Sequence, residues 1–447
     1  MRQTGKKVEH VAVCLFACPA KVTVQNEISS MLFTRRWLLV APALLLWWIV
    51  GQIDKSNISF VIIDSRFLDQ LHLNGRYSEL GSLLSAFFLG YGASIFVWGF
   101  VVDRFGARVC LLSGTLAWAL IMFLMSRATT FQELWIARFM LGVAEGNMWP
   151  VSNLLTNRWF PSREHARAQA FWMMGPTLGT ALGVPLVIRL LATDGWSEMM
   201  QTLAFISLVP LVAFLFVADS HDPANSGGHE RFNERNAGKH RSQQAPLKEI
   251  LANKAFWLIT LGMILSGATI FTLVQWTPSF LTEQRGLARQ SMNFGLTFGY
   301  LLATALTLFF GAIADRTMNR ALTAAAASFI FAVLIVPSAL VLSPWASAVA
   351  LAGLITVPCV VPALNGALLH GMIQPEFIAR ATGIYSGIGG IVAAAGPWIF
   401  GRLVGLLGGE YWGGFMFLAL LNLLSAAVYF FLQRQPTKQN YEFIAQD

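Results

Sequence analysis

Apolar residues are gathered along the chain into long runs that alternate with short polar segments. Runs such as Leu80–Val102, Val109–Met125 and Phe415–Leu432 hold about 20 residues each, the length that an α-helix needs to cross the ~30 Å hydrocarbon core of a bilayer. A surface helix of a soluble protein would instead carry a polar face along its whole length. The pattern predicts twelve membrane-spanning helices, at residues 37–62, 77–101, 107–126, 131–156, 166–192, 199–218, 255–281, 291–313, 320–341, 346–371, 380–407 and 411–432.

Composition and charge support this interpretation. Of the 447 residues 55% are hydrophobic and 12% are charged, whereas soluble domains carry roughly 25% charged residues. The net charge of +8 would suit a nucleic-acid partner, but most Lys and Arg residues fall in alternate loops, as in membrane proteins that obey the positive-inside rule. We therefore expect a multi-pass protein of a cell membrane, of the bacterial inner-membrane type, with both termini cytoplasmic, the lipid bilayer around it and no nucleic-acid partner.

One long polar segment divides the chain into two parts. Residues 219–254 are rich in Gly, Ser, Asn and charge, and such a segment cannot bury enough apolar surface to order itself. The predicted organisation is a cytoplasmic extension expected to be disordered (1–34), a first six-helix half (35–218), a cytoplasmic linker (219–254), a second six-helix half (255–433) and a cytoplasmic tail (434–447). The sequence does not decide whether residues 1–30 belong to the mature protein.

A charged loop motif occurs once in each half. Gly99-x-x-x-Asp103-Arg104, with Gly106 and Arg108, recurs as a glycine followed by Asp315-Arg316 and Arg320. Repeated halves related by an axis along the membrane normal place a binding site between them. An aspartate at a helix end can pair with arginines and cap a neighbouring helix. The motif predicts a conformational latch made of Gly99, Asp103, Arg104, Gly106, Arg108, Asp315, Arg316 and Arg320.

Four ionisable residues fall inside predicted spans: Asp54 and Lys55 in the first, Arg138 and Glu145 in the fourth. Such residues are costly in a membrane and indicate a functional site. Arg138 and Glu145 are two helical turns apart and share one helical face, and a carboxylate removed from water binds a proton more readily. The structural alternative is an intramembrane ion pair, Asp54–Arg138 or Glu145–Arg138.

The loop motif resembles the signature of the major facilitator superfamily. Within it, the chain resembles the anion:cation symporter branch over most of residues 35–435. Three stretches carry this resemblance: Asp54-Lys55-Ser56-Asn57-Ile58 in the first span, Arg138-x-x-x-Gly142-x-x-Glu145-Gly146 with Pro150 in the fourth, and Trp159-Phe160-Pro161 through Arg167-Ala168 after it. Members of the branch take up organic acids and sugar acids with protons.

The resemblance implies an all-α membrane fold of twelve helices in two six-helix halves, and roles for the intramembrane residues. Asp54 and Glu145 would carry protons, while Lys55 and Arg138 would contact the carboxylate of the substrate. Lys55 stands where the branch usually has arginine; it keeps the positive charge but lacks the bidentate fork of a guanidinium.

Polar and aromatic residues supply the remaining candidates for substrate contacts, because the second half has almost no charge inside its spans. These candidates are Tyr91, Asn147 and Trp149 in the first half and Gln275, Trp276, Asn365, Tyr385 and Ser386 in the second.

The sequence predicts a secondary active transporter that takes up an organic anion, a sugar acid or another carboxylate, with protons. We expect no enzymatic activity, no metal and no cofactor besides the proton as coupling ion, and we expect a monomer. An uncoupled facilitator, an exporter and a transporter-like ligand sensor remain alternatives. The sequence leaves open which anion is carried, the stoichiometry, and whether Na⁺ replaces the proton.

Overall fold

A computed structural model of the chain describes residues 36–161, 164–215, 251–314, 319–341, 343–372 and 378–434. All regular secondary structure within these ranges is helical. The predicted extension at 1–34, most of the predicted linker at 219–254 and nearly all of the predicted tail at 434–447 lie outside the described residues.

Twelve helices, several of them broken into two or three segments, occupy the described ranges. They are α1 (Arg36–Val40, Ala41–Ser56 and Ile58–Val61), α2 (Tyr77–Val102), α3 (Arg104–Met125), α4 (Phe131–Glu145 and Met148–Trp159), α5 (His165–Met173 and Gly175–Thr193), α6 (Gly195–Ile206 and Val209–Leu215), α7 (Lys254–Ser279 and Phe280–Gln284), α8 (Arg289–Ala314), α9 (Arg320–Leu340), α10 (Pro344–Leu354 and Thr356–Met372), α11 (Ile378–Ala393 and Gly396–Leu406) and α12 (Trp412–Leu432). A short helix, Ser65–Gln70, follows α1.

Each of these helices coincides with one of the predicted spans to within a few residues. Among the described residues, ten are long and apolar enough to cross a membrane. The other two, α4 and α8, occupy the predicted fourth and eighth spans. The first segment of α4 contains Glu133, Arg138 and Glu145, and this charge sets it apart from an ordinary span. The predicted all-helical membrane fold is confirmed.

Glycines bring α2 and α4 into backbone contact. A Cβ atom at Gly142 would overlap the carbonyl oxygen of Phe87, and one at Gly90 would overlap the carbonyl oxygen of Phe139. Small residues let membrane helices approach this closely. The close approach places the ring of Phe87 beneath Arg138, whose guanidinium carbon lies 5.0 Å from the ring centroid.

Polar contacts join the two halves at one end of the bundle. We call the end that carries Arg36 and Arg434 the proximal end, and the opposite end the distal end. At the distal end Arg289 of α8 forms an ion pair with Asp64, at 3.4 Å, and the Tyr77 hydroxyl donates to Glu283 of α7, at 3.0 Å. The Glu283 carboxylate also accepts from the Tyr411 hydroxyl, next to the start of α12.

Contacts between the halves continue from the distal end toward the middle of the bundle. The Trp398 amide donates to Ser85 Oγ at 3.0 Å, and the rings of Phe88 and Phe271 stack with centroids 4.0 Å apart. Nearer the proximal end, α2 leaves Phe96, Val97 and Phe100 exposed. The structure is therefore closed at the distal end.

The Asp64 carboxylate is held ionised at this closure. Partial burial favours its protonated form, but the hydrogen bonds and charge of Arg66, with the charge of Arg289, keep the pKa of Asp64 below its usual value. Because the pKa is lowered, the ion pair with Arg289 is fully present at neutral pH and is lost only as the pH falls through that lowered value.

Arg289→Ala removes the ion pair between Asp64 and the second half and should shift the equilibrium toward a conformation open at the distal end. The measurement is the rate at which a membrane-impermeant maleimide labels Ser279→Cys, a buried position of α7. Labelling should be faster when Arg289→Ala is also present. We expect an increase of up to about fivefold, since a partly exposed ion pair contributes roughly 0.2–1 kcal/mol. Arg76→Ala is the matched control, because it removes an exposed pair with Glu79 at the same end but within the first half. Equal labelling of the two variants would show that the Asp64–Arg289 ion pair does not hold the two halves together at the distal end.

Gly142→Ala should destabilise the protein, because the added methyl group would overlap the backbone of α2. Overpacking of this kind costs about 1–3 kcal/mol. The measurement is the thermal unfolding midpoint in detergent. Gly353→Ala is the control, since its Cβ would meet its nearest neighbour, a Leu302 methyl group, at 3.9 Å. An unchanged midpoint for Gly142→Ala would show that the two helices separate without cost.

Candidate functional site

A break in α1 forms the first wall of the site. The segment Ala41–Ser56 ends just after Asp54 and Lys55, and the helix resumes at Ile58. The last carbonyls of a helical segment lack partners within that segment. Here the Asp54 carbonyl accepts from Arg138 Nη1 at 3.3 Å, and the Lys55 carbonyl accepts from Arg138 Nη2 at 3.4 Å and from Gln275 Nε2 at 3.0 Å. Residues of both halves therefore meet at this break.

Lys55 and Glu145 form a buried ion pair between α1 and α4. Lys55 Nζ lies 3.3 Å from Glu145 Oε2, and Glu145 is fully buried. Aromatic rings surround the ammonium group, with centroids 4.7 Å away for Tyr91, 5.2 Å for Trp48 and 5.9 Å for Phe87. A cation over ring faces gains electrostatic attraction from their quadrupoles, which partly replaces the water that Lys55 has lost.

Arg138 is fully buried and is held differently from Lys55. Its guanidinium donates to the two α1 carbonyls and stacks over Phe87. Arg138 and Glu145 share one face of α4, as their spacing predicts, yet Glu145 is ion-paired with Lys55. Neither of the ion pairs considered from the sequence, Asp54–Arg138 and Glu145–Arg138, is the arrangement found among the described residues.

The Asp54 carboxylate faces away from Lys55, toward α3 and α6. Its Oδ2 accepts from the Trp118 indole at 2.9 Å and from the Ser207 hydroxyl at 2.7 Å, and its Oδ1 has no partner among the described residues. The two carboxylates of the site, Asp54 and Glu145, are thus held in separate surroundings. Sequence reasoning missed Trp118 and Ser207, which lie outside every motif.

The other candidates of the first half lie beside these groups. Tyr91 faces the Lys55 ammonium. The Asn147 side chain occupies the break in α4 and donates to the Cys110 carbonyl of α3 at 2.6 Å. Trp149 packs edge-on against the rings of Trp48 and Trp172. Trp48 was not predicted as a site residue.

Of the candidates in the second half, Gln275 reaches the α1 break. Its neighbour Trp276 packs elsewhere, because its indole donates to the Pro397 carbonyl and stacks on Phe400. Asn365 accepts a hydrogen bond from the Tyr429 hydroxyl at 2.7 Å, and Tyr385 is buried in the same cluster. Ser386, which follows on α11, is half-buried.

The predicted latch is described only in part. Gly106 has φ 82° and ψ 165° and lies at a kink near the start of α3; a positive φ favours glycine. Arg104 lies over the Phe105 ring, with 5.5 Å between the guanidinium carbon and the centroid. Arg108 and Arg320 are exposed, and Gly99 is half-buried. The Asp103 side chain, Asp315 and Arg316 lie outside the described residues, so the latch stays a prediction.

Comparison with characterised proteins finds relatives named as transporters of organic anions. The chain is 27% identical to a probable sulfoacetate transporter of Cupriavidus necator over 62% of this chain and 63% of that protein. It is 26% identical to the hexuronate transporter of Bacillus subtilis over 56% of this chain and 59% of that one. The chain thus matches less than two thirds of the length of these two relatives. A putative tartrate transporter of Agrobacterium vitis is 24% identical over 93% of this chain and 94% of its own length.

Solved structures share the fold. A bacterial homologue of the human lysosomal transporter Spinster, in an inward-facing and occupied conformation, superposes with a TM-score of 0.67 over 90% of this chain and 97% of that one, at 16% identity. The same homologue in an inward-facing and unoccupied conformation gives a TM-score of 0.63. The family model of the Major Facilitator Superfamily matches residues 37–397. The chain belongs to the Major Facilitator Superfamily.

Proposed function

We propose that this protein takes up an organic anion together with protons, by alternating access of one site to the two sides of the membrane. The observation that carries the proposal is the buried ion pair between Lys55 and Glu145. The relatives are named as transporters of sulfoacetate, hexuronate and tartrate, and the two buried cations, Lys55 and Arg138, supply charge that would attract such an anion.

The ion pair provides a route to coupling. An incoming carboxylate that binds Lys55 competes with Glu145 for the same ammonium group. A buried charge without a partner is costly, so the displaced Glu145 binds a proton. Substrate and proton then occupy the site together, which is the linkage that a symporter needs.

Asp54 is the second proton carrier in this proposal. Its two hydrogen bonds from Trp118 and Ser207 tie it to α3 and α6, while its own carbonyl accepts from Arg138. A change in its protonation therefore acts on the packing of the first half and on the α1 break at the same time.

Alternating access follows from the contacts between the halves. The distal closure is made of separable polar contacts, Asp64–Arg289 and Tyr77–Glu283. Gln275 holds the α1 break from the second half. Rearrangement at the break can therefore be transmitted to the interface between the halves, as in other domain-rocking proteins.

Glu145→Gln should abolish accumulation driven by a proton gradient while leaving exchange of substrate. The measurement is uptake of labelled galactonate, hexuronate, tartrate, sulfoacetate and benzoate into liposomes under an imposed pH gradient, with a protonophore in parallel. Wild-type accumulation should collapse with the protonophore, and the variant should show counterflow only. Glu79→Gln, in an exposed pair at the distal end, is the control. Accumulation by Glu145→Gln equal to wild type, or accumulation that follows a Na⁺ gradient, would refute proton coupling through Glu145.

Lys55→Gln should destabilise the protein, and Glu145→Gln added to it should restore stability. Removing one partner of a buried ion pair costs roughly 3–5 kcal/mol, because the other charge stays buried alone. Removing both leaves two neutral amides. Thermal unfolding of the two single variants and the double variant measures this coupling, with Lys254→Gln, at the exposed start of α7, as control. Additive effects of the two substitutions would show that the pair makes no net contribution.

A further inference from the structure

Three tryptophans from three helices pack together beside the ion pair. The rings of Trp48 of α1 and Trp172 of α5 stack with centroids 5.2 Å apart and planes 18° apart. Trp149 of α4 meets both rings edge-on, at 5.8 Å and 5.6 Å. We call Trp48, Trp149 and Trp172 the tryptophan cluster.

Two members of the tryptophan cluster are held by hydrogen bonds from their indoles to side chains, and the third has no such bond among the described residues. Trp48 and Trp172 are buried, and their indoles donate to Ser152 Oγ at 2.9 Å and to Thr156 Oγ1 at 3.2 Å. Trp149 is half-buried, and no acceptor for its indole N–H is found among the described residues. Trp149 therefore presents the accessible aromatic surface of the cluster, at the start of the second α4 segment.

The tryptophan cluster is continuous with the charged site. The Trp48 ring lies 5.2 Å from Lys55 Nζ, and the Tyr91 ring covers the same ammonium group at 4.7 Å. Trp149 meets the Trp48 ring edge-on, with centroids 5.8 Å apart, so it is one ring removed from the ammonium group. A ligand whose anionic group binds Lys55 therefore finds aromatic surface next to it.

The side-chain amide nitrogens of Asn147 and Gln275, near the α1 break, already have acceptors. The Asn147 amide donates to the Cys110 carbonyl, and the Gln275 amide donates to the Lys55 carbonyl. Their oxygens, Asn147 Oδ1 and Gln275 Oε1, have no partner among the described residues. The Asn57 side-chain amide, in the α1 break, also has no partner for its nitrogen or its oxygen among the described residues. Unpartnered polar atoms therefore lie at the α1 break, whereas the tryptophan cluster presents apolar ring surface beside Lys55.

We propose that the anion carried by this protein is an aromatic carboxylate, with its carboxylate on Lys55 and its ring against Trp149. This inference rests on the proposed function and narrows its substrate class. Aromatic rings gain from packing edge-to-face or offset against one another beyond the area that they bury. Trp149 would offer the ligand ring such a partner, held in place by its own edge-on contacts with the stacked pair.

The test compares two acids of equal charge and similar size, one flat and one puckered. Benzoate and cyclohexanecarboxylate are measured as labelled substrates and as competitors in proteoliposomes under a pH gradient, with D-galactonate as the hydroxylated acid and protein-free liposomes to subtract passive entry. Wild type, Trp149→Phe and Trp149→Leu are compared. Trp345→Leu is the control, because Trp345 is an exposed tryptophan at the start of α10.

We expect wild type to prefer benzoate over cyclohexanecarboxylate by roughly two- to tenfold, the range of ring–ring contacts. Trp149→Phe should keep the preference and Trp149→Leu should lose it, while Trp345→Leu should match wild type. Absence of a preference in wild type, or a preference that survives in Trp149→Leu, overturns the aromatic assignment. Accumulation of galactonate without either ring acid overturns it as well but leaves organic-anion transport intact. Accumulation of none of the three acids counts against both this inference and the proposed function.

Discussion

Four ionisable side chains are buried near the middle of an apolar bundle, and the cost of that burial shapes the structure around them. Lys55 and Glu145 compensate each other directly, at 3.3 Å. Arg138 has no carboxylate partner of this kind among the described residues and uses backbone carbonyls and a ring face instead. Asp54 depends on neutral donors. In the proposed function only the first of these arrangements is exchanged for a ligand, because a substrate carboxylate would replace Glu145 at the same ammonium and the displaced Glu145 would take up a proton.

This compensation requires irregular helices and close packing. The break in α1 presents the carbonyls that Arg138 and Gln275 bind, and the break in α4 follows directly after Glu145. Gly142 and Gly90 let α2 approach α4 closely enough for Phe87 to lie under Arg138. Broken backbone is tolerated inside a membrane protein where other groups satisfy the freed carbonyls. The glycines and the helix breaks are therefore needed to place the groups that compensate the buried charges.

The sequence predicts the spans and the ionisable residues well, because both signals are local. Apolar runs give the helices, and a seven-residue spacing puts Arg138 and Glu145 on one face of α4. Partner choice is not local: whether Glu145 meets Lys55 or Arg138 depends on how α1 packs against α4. The same limit explains Gln275 and Trp276, which are adjacent in sequence but point about 100° apart around α7. One reaches the α1 break and the other packs against Phe400.

The two halves contribute unequally to the site. The first half holds the four charged groups of the site, whereas the second half contributes Gln275, which donates to the same Lys55 carbonyl that Arg138 binds. Because that carbonyl belongs to the residue whose ammonium pairs with Glu145, movement of the second half away from α1 removes a hydrogen bond from the backbone of Lys55. The ion pair and the interface between the halves are thus joined through one residue. In the proposed transport cycle, a ligand that moves Lys55 would therefore change one of the contacts between the two halves directly.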